Sequence, residues 1–377
     1  MNISFLLKGI QEYHFTKDVY LFPKYIAKKL DANLNIVYSR EKKVIHSDST
    51  IQLKLTNLYI KFFSKFSIFE NISLLLYVYK NSKNINILIL FHYTILSLLL
   101  AFLYKKLNKN GFVYIKGDLD IPNAVQISQK DKMTVYGKVK GFLKNKFAKS
   151  VDLLSVESRD VYNFVSINYR DYNVKKILYV SNGFEIKPTD FDSCIKENII
   201  LTVGRFGTEQ KNTSFLLNVA ENLDLKDWKL YFIGSIESDF NVEVTNFYTR
   251  NPDKIDKVLF LGSINERDTL TSYYKKAKVF VSASLWESYG LVFLESVFYK
   301  NYLVANNVGA AKDLVNEYQF SGEILNLEPD LYINCLQNII NTSTPVPSIY
   351  EYDDLFDLSM DKVVKPIIDE FKIHRNI

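Results

Sequence analysis

The sequence predicts an α/β protein of two doubly wound domains, each a parallel sheet covered by helices. Three observations carry that prediction. The chain has 377 residues, which suits two domains of ordinary size. It opens strand, helix, strand at residues 2–7, 19–30 and 34–38, a βαβ unit. From residue 199 to residue 315 apolar runs and amphipathic stretches alternate. A composition of 47% hydrophobic and 24% charged residues supports packed cores and argues against disorder.

The first strand, 2–7, is apolar but short and has no small-residue cleavage site, so it does not read as a signal peptide. A loop, 8–17, follows, with Gly9 its single glycine. Asp18 then precedes an apolar-periodic stretch and is expected to cap that helix. No GxGxxG follows the strand, which argues against a dinucleotide-binding dehydrogenase. Residues 87–104 run 18 positions without a charge, long enough for a membrane span. The competing reading is a buried strand at 87–91 and a helix at 94–104, joined by the polar His92, Tyr93 and Thr94. That reading is preferred, because the stretch is barely long enough to span and no second span balances it.

A strand at 112–115 ends in Lys116-Gly117-Asp118-Leu119-Asp120. Charges at the C-terminal end of a buried strand are expected to face the crevice where such sheets bind ligands. Residues 136–150 carry Lys138, Lys140, Lys144, Lys146 and Lys149 with no acid, while Val139, Phe142, Leu143 and Phe147 fall at helical spacing. A basic amphipathic helix of this kind docks on anionic membranes. Its bland alternative is a solvated face over a core-facing one. Residues 61–66 (KFFSKF) repeat the mixture, and together the two point to peripheral membrane contact. Strands at 152–156 and 176–180 follow, then the turn Ser181-Asn182-Gly183. A linker is expected at 184–196.

The second half places strands at 199–203, 229–233, 257–261, 278–282 and 303–306. Helices are expected at 215–222, 268–277, 291–299 and 311–315. Domains are thus expected at 1–184 and 185–345, with a helical tail at 346–377 after Pro345 and Pro347. The charge of +5 permits an acidic partner without demanding one, and no nucleic-acid motif is present. Cys194 and Cys335 give no disulfide framework or metal pattern, and the four histidines show no zinc spacing. A reducing, cytoplasmic setting is expected, with contact at the inner face of the cell membrane.

The most informative stretch is residues 286–295, WESYGLVFLE. It runs from a strand through a loop holding Glu287 into a helix that opens at Gly290-Leu291 and carries Glu295. A helix N-terminus presents unpaired amides and the positive end of a dipole, which suits a phosphate. Two carboxylates repel an anion, but they suit hydroxyls flanking it. Upstream, a strand ends in Gly204-Arg205, and Lys211 follows before the next helix.

The E-x7-E pattern with Gly-Leu at the helix start, and Gly-Arg followed by Lys upstream, resembles the retaining glycosyltransferases of family 4. Those have the GT-B fold, two Rossmann-like domains facing a central cleft. The resemblance implies transfer of a sugar from a UDP- or GDP-hexose to a glycan or lipid-linked acceptor. It implies surface polysaccharide or glycoconjugate synthesis, with no metal and no cofactor beyond the nucleotide sugar. It gives Arg205 and Lys211 to the diphosphate, Glu287 to the sugar hydroxyls and Glu295 to the ribose. Gly204, Gly234, Tyr289, Gly290 and Leu291 would line the donor, and Ser263 and Ile264 would hold the base by backbone contacts. The loop 8–11 is expected near the donor phosphates. Asp118 stands where many members have an acceptor-side histidine, and it is taken as a catalytic candidate by position. Asp118 and Asp120 also spell DxD, the metal motif of the GT-A fold, a reading that leaves the other motifs unexplained. Two alternatives stay open: a GT-B nucleotide-sugar epimerase, and a non-catalytic GT-B subunit of a polysaccharide assembly complex.

Overall fold

The computed structural model describes residues 1–59, 67–129, 135–186, 195–342 and 357–376. The chain divides into two compact units, Met1–Ile186 with Asp357–Ile377, and Lys187–Phe356. The sequence reading divides it at 184/185 and 345/346. Most of the expected linker, the KFFSKF stretch and the prolines at 345 and 347 lie outside the described residues.

The first unit is built on seven parallel strands, β1 (Asn2–Leu6), β2 (Asn33–Tyr38), β3 (Leu53–Asn57), β4 (Ile87–Phe91), β5 (Phe112–Lys116), β6 (Leu153–Val156) and β7 (Ile177–Tyr179). Their spatial order is β3-β2-β1-β4-β5-β6-β7. Helices α1 (Asp18–Lys29), α2 (Ser67–Asn81), α3 (Ile95–Leu107), α4 (Ile121–Gln129), α5 (Val135–Ala148), α6 (Arg159–Ile167) and α7 (Tyr169–Tyr172) cover it. Alternate strand residues serve opposite faces, as the period-2 pleat requires. Ile3, Phe5, Ile87, Ile89, Phe112 and Tyr114 join α1 on one face. Leu6, Leu88, Leu90, Val113 and Ile115 join α2, α3 and α6 on the other. Both faces are buried, which is why these strands read as unbroken apolar runs.

The uncharged stretch 87–104 is strand β4 and helix α3, with the Thr94 hydroxyl accepting from the Ser97 amide at 3.2 Å as a cap. Among the described residues, no helix is long and apolar enough to cross a membrane. The described part of the tail carries the helices Met360–Val363 and Lys365–Arg375, which belong to the first unit. Its Met360, Val364, Ile367 and Phe371 join the core on the α1 face. It enters beside the Asn-Gly turn, where Phe184 N donates to Leu358 O and Met360 N to Phe184 O, both at 2.8 Å.

Three local expectations are corrected. Asp18 does not cap α1. Lys17 holds that position, and Asp18 opens the helix with its carboxylate 2.9 Å from Lys116 Nζ. Lys116 does not face a ligand crevice. It is 2% exposed, paired with Asp18 and Glu157, bonded to Asn182 Oδ1 at 3.0 Å, and packed over the Phe22 ring. Helix α1 covers that strand end, and a covered ammonium needs internal partners. Asp120 does not face that crevice either. It is buried and accepts from the Asn123 amide at 2.7 Å and the Asn123 side chain at 2.9 Å, closing the start of α4.

The second unit has six parallel strands, β8 (Glu197–Val203), β9 (Lys229–Ile233), β10 (Val258–Gly262), β11 (Ala277–Val281), β12 (Tyr302–Ala305) and β13 (Gly322–Ile324), in the order β10-β9-β8-β11-β12-β13. Its helices are α8 (Thr213–Asn222), α9 (Asn241–Arg250), α10 (Arg267–Lys276), α11 (Leu291–Phe298) and α12 (Pro329–Asn341). The helix expected at 311–315 is instead a π-turn, Asp313–Glu317. Lys254 shows how helix ends are closed here. Its buried ammonium donates to the carbonyls of Ala220, Glu221 and Leu223 at 2.6, 2.6 and 2.9 Å, around the end of α8.

Candidate active site

In an open parallel sheet, ligands bind beyond the C-terminal ends of the strands where the order reverses. In the second unit that point lies between β8 and β11. The loop after β8 carries Gly204, Arg205 and Lys211, and the loop after β11 carries Glu287, Tyr289 and Gly290. Topology alone therefore brings the two motifs to one place.

The side chains meet there. Lys211 Nζ lies 2.5 Å from Glu287 Oε1, with the two side chains 17% and 10% exposed. Gln210 holds the other carboxylate oxygen, its Nε2 3.3 Å from Glu287 Oε2 and 3.0 Å from the Trp286 carbonyl. The Leu285 amide donates to Gln210 O at 2.8 Å. The two loops are thus clasped by backbone and side chain together. Gly204 lies against the lysine: a Cβ built there would come 3.0 Å from Lys211 Cε.

Gly290 stands at the start of α11 with φ +80°, a conformation glycine adopts without strain, and no side chain caps the helix. Its neighbours Leu291 and Val292 are half-buried, and Tyr289 is buried. Behind the loop, Gly309 is pressed against it. A Cβ there would meet Tyr289 O at 2.4 Å and Glu287 Cβ at 2.9 Å, and φ is +54°. The Ala310 amide donates to Tyr289 O at 2.8 Å.

The other expected residues have other partners. Arg205 is at the end of β8, but its side chain is 64% exposed and its Nε lies 3.7 Å from Glu237 Oε1. Glu295, on α11, is bonded to Arg267 Nη1 at 2.6 Å. Gly234 follows β9 and donates to Gly262 O at 2.9 Å. Ser263 is exposed and Ile264 half-buried in the segment after β10. Gln210, Arg267 and Gly309 were not anticipated. Gln210 adjoins Lys211 and was within reach of the motif. Arg267 sits in a polar run that reads as any first helical turn.

Asp118 belongs to the first unit, at the end of β5, with φ +44°. Its Oδ2 lies 3.4 Å from His92 Nδ1 at the end of β4, where φ is +62°. Burial holds His92 below its ordinary pKa, and the Asp118 carboxylate opposes that shift. The first unit has its own order reversal, between β1 and β4. A cavity of about 420 Å³ opens there, walled by Leu6, Leu7, Leu90 and Leu100 and edged by His14 and His92. Among the described residues, no group of three or more histidine, cysteine or acidic side chains is placed to hold a metal.

Known proteins share this architecture. Residues 186–329 match the family model described as glycosyl transferases group 1. A 41.2 kDa protein of the cps region of Klebsiella pneumoniae is 31% identical over 146 residues, covering 38% of this chain and 37% of that protein. The chain thus matches little more than a third of that relative's length. Among solved structures, a lipopolysaccharide outer core galactosyltransferase superposes with a TM-score of 0.66 at 14% identity, covering 100% of both chains. A trehalose-6-phosphate protein of E. coli, bound to UDP-2-fluoro glucose, does so with a TM-score of 0.73 at 13% identity, covering 99% of each. The chain therefore has the GT-B fold, and its residues 186–329 are similar to glycosyl transferases group 1.

Proposed function

We propose that this protein is a retaining, metal-independent glycosyltransferase that moves a hexose from UDP- or GDP-hexose to a hydroxyl of a glycan or lipid-linked acceptor in surface polysaccharide synthesis. The observation that carries the reading is the Lys211–Glu287 pair at the order reversal of the second sheet, beside the open start of α11. A cation and a helix N-terminus suit a diphosphate, and a carboxylate held at its edge suits sugar hydroxyls.

In the transfer, the bond from the anomeric carbon to the diphosphate breaks and the phosphate oxygen keeps the electron pair. Lys211, Arg205 and the first amides of α11 stabilise the charge that gathers there. Those groups do the work a divalent cation does in other phosphate enzymes, so turnover should persist in chelator. Glu287 orients the sugar through its hydroxyls, and Glu295 takes the ribose. The acceptor hydroxyl bonds to the same face of the anomeric carbon, and its proton passes to the departing phosphate oxygen. The cavity of the first unit, with His92 and Asp118 near its edge, is the acceptor-side candidate.

Membrane contact belongs to the same reading. The outer side of α2 exposes Ile72, Leu76 and Tyr79, one helical stripe, and α5 exposes Phe142 and Leu143. Helix α3 packs between α2 and α5. Exposed Lys80, Lys83, Lys106, Lys146 and Lys149 accompany them. Apolar side chains among lysines suit an anionic lipid surface.

The test is a thermal-shift panel of UDP, GDP, ADP and their hexose conjugates on the wild type and Lys211→Ala. One nucleotide family should raise the wild-type melting temperature, and the variant should respond far less. No response in the wild type, or an equal response in both, would overturn the reading. Isomerised nucleotide sugar appearing without acceptor would identify an epimerase instead, and binding without any turnover a non-catalytic subunit.

A further inference from the structure

Glu295 does not project freely from α11. Its Oε1 accepts from Arg267 Nη1 at 2.6 Å, a short, charge-assisted contact. Seven positions on along α10, Tyr274 is wholly buried. Burial first, and then the nearby Glu295 carboxylate, push its phenol well above the ordinary pKa. Helix α10 therefore meets this carboxylate with a guanidinium at its first residue. That helix begins at Arg267, shortly after Ser263 and Ile264, the segment expected to hold the base.

The arrangement differs from a surface ion pair. Glu295 is 19% exposed and Arg267 43% exposed, so the pair is anchored on the acid's side and open on the arginine's. An unbraced glutamate would populate several rotamers and would lose that freedom on meeting a ligand. Braced at one oxygen, the carboxylate is already aimed. A carboxylate accepts through two oxygens and about four lone-pair sites, so one arginine contact leaves capacity for neighbouring hydroxyls.

We propose that Arg267 is the positioning residue for Glu295, holding its carboxylate for the paired hydroxyls of the donor's ribose, so that the site prefers ribonucleotides to deoxyribonucleotides. This rests on the reading of Glu295 given above. A sugar lacking one hydroxyl leaves a braced acceptor without its donor, and such a site rejects the poorer ligand strongly. If Arg267 is removed, the carboxylate turns toward water, and both ligands bind alike.

The experiment is calorimetric titration with the nucleoside diphosphate that binds, UDP, GDP or ADP, and its 2′-deoxy form. The proteins are the wild type, Arg267→Ala, Arg267→Lys and Glu295→Gln, each checked for an intact thermal transition. The wild type should favour the ribonucleotide by about tenfold or more, the scale of one hydrogen bond to a charged group. Arg267→Ala should bring that ratio close to one, and Arg267→Lys should restore part of it, which a merely structural arginine would not do. An unchanged ratio in Arg267→Ala, with the ratio lost in Glu295→Gln, overturns the role of Arg267 and leaves Glu295 on the ribose. An unchanged ratio in Glu295→Gln, or a wild type without preference, removes the ribose role itself and this inference with it. If Arg267→Ala does not fold, Arg267→Gln decides the same question.

Discussion

Lys211 and Glu287 neutralise each other across 2.5 Å, and that pairing constrains how a diphosphate is received. To hold a phosphate, the ammonium must share itself between two anions. Removing the lysine alone does more than delete a cation. It leaves Glu287, bonded to the Gln210 amide, as a nearly buried negative charge facing an anionic ligand. Lys211→Ala should therefore weaken nucleoside diphosphate binding by about tenfold or more. Adding Glu287→Gln should recover most of that affinity while turnover stays lost, because the sugar's hydroxyl acceptor is gone as well. Titration calorimetry of both variants, with turnover measured beside it, checks this. If the second substitution weakens binding further, the two residues do not share the ligand in this way. Arg205 makes a useful contrast. At 64% exposed and 3.7 Å from Glu237, it is free to swing toward a phosphate, and its removal leaves no comparable buried charge.

At the scale of elements, the stripe on α2 makes a separate prediction. Replacing Ile72, Leu76 and Tyr79 together with serine removes apolar area that no described core claims, since Leu74 and Val78 face the interior. Folding should be unaffected, and sedimentation with vesicles containing anionic phospholipid should fall sharply while neutral vesicles remain poor partners for both proteins. Equal sedimentation of variant and wild type would remove the membrane contact. The element α2 itself shows what the sequence left unread. Its apolar run is nearly continuous from Ile72 to Val78, because one side is core and the other is exposed hydrophobe. The helical period is therefore blurred. Strand β3 failed for a related reason: it is an edge strand, none of its residues fully buried, with Lys54 and Thr56 interrupting the pattern. Buried strands such as β4 and β9 were legible because both faces demand apolar residues. In the site, Lys211 and Glu287 were legible through their motifs. Gln210 was within reach as the neighbour of Lys211, but Arg267 and Gly309 were not, since nothing local marks a residue whose role depends on a distant loop.

Across the whole molecule, the titrating groups are unevenly shared, and this sets how acid should act. All four histidines lie in the first unit: His14, His46, His92 and His374. Burial lowers the pKa of each below the ordinary 6.5. Nearby lysines add to the effect, Lys17 at His14, Lys24 at His46, Lys116 at His92 and Lys105 at His374, while Asp118 opposes it at His92 and Asp152 at His374. In the unfolded chain these imidazoles bind protons more readily than in the folded one. Stability therefore rises with pH through the window just below 6.5, is complete above it, and is lost as pH falls. Asp48 acts in the same direction at lower pH. Burial would raise it, but Thr50, Lys24 and Tyr20 together hold its carboxyl well below the usual range, so its contribution disappears as pH falls below 3.8. Both tryptophans, Trp228 and Trp286, lie in the second unit. Tryptophan emission then reports that unit alone, while far-ultraviolet circular dichroism reports both. Between pH 7.5 and pH 5.0 the denaturant midpoint seen by circular dichroism should fall and its transition broaden or split, while the midpoint seen by tryptophan emission should move little. Coincident midpoints that shift together would show instead that the two units unfold as one cooperative body, with the acid sensitivity of the first imposed on the second.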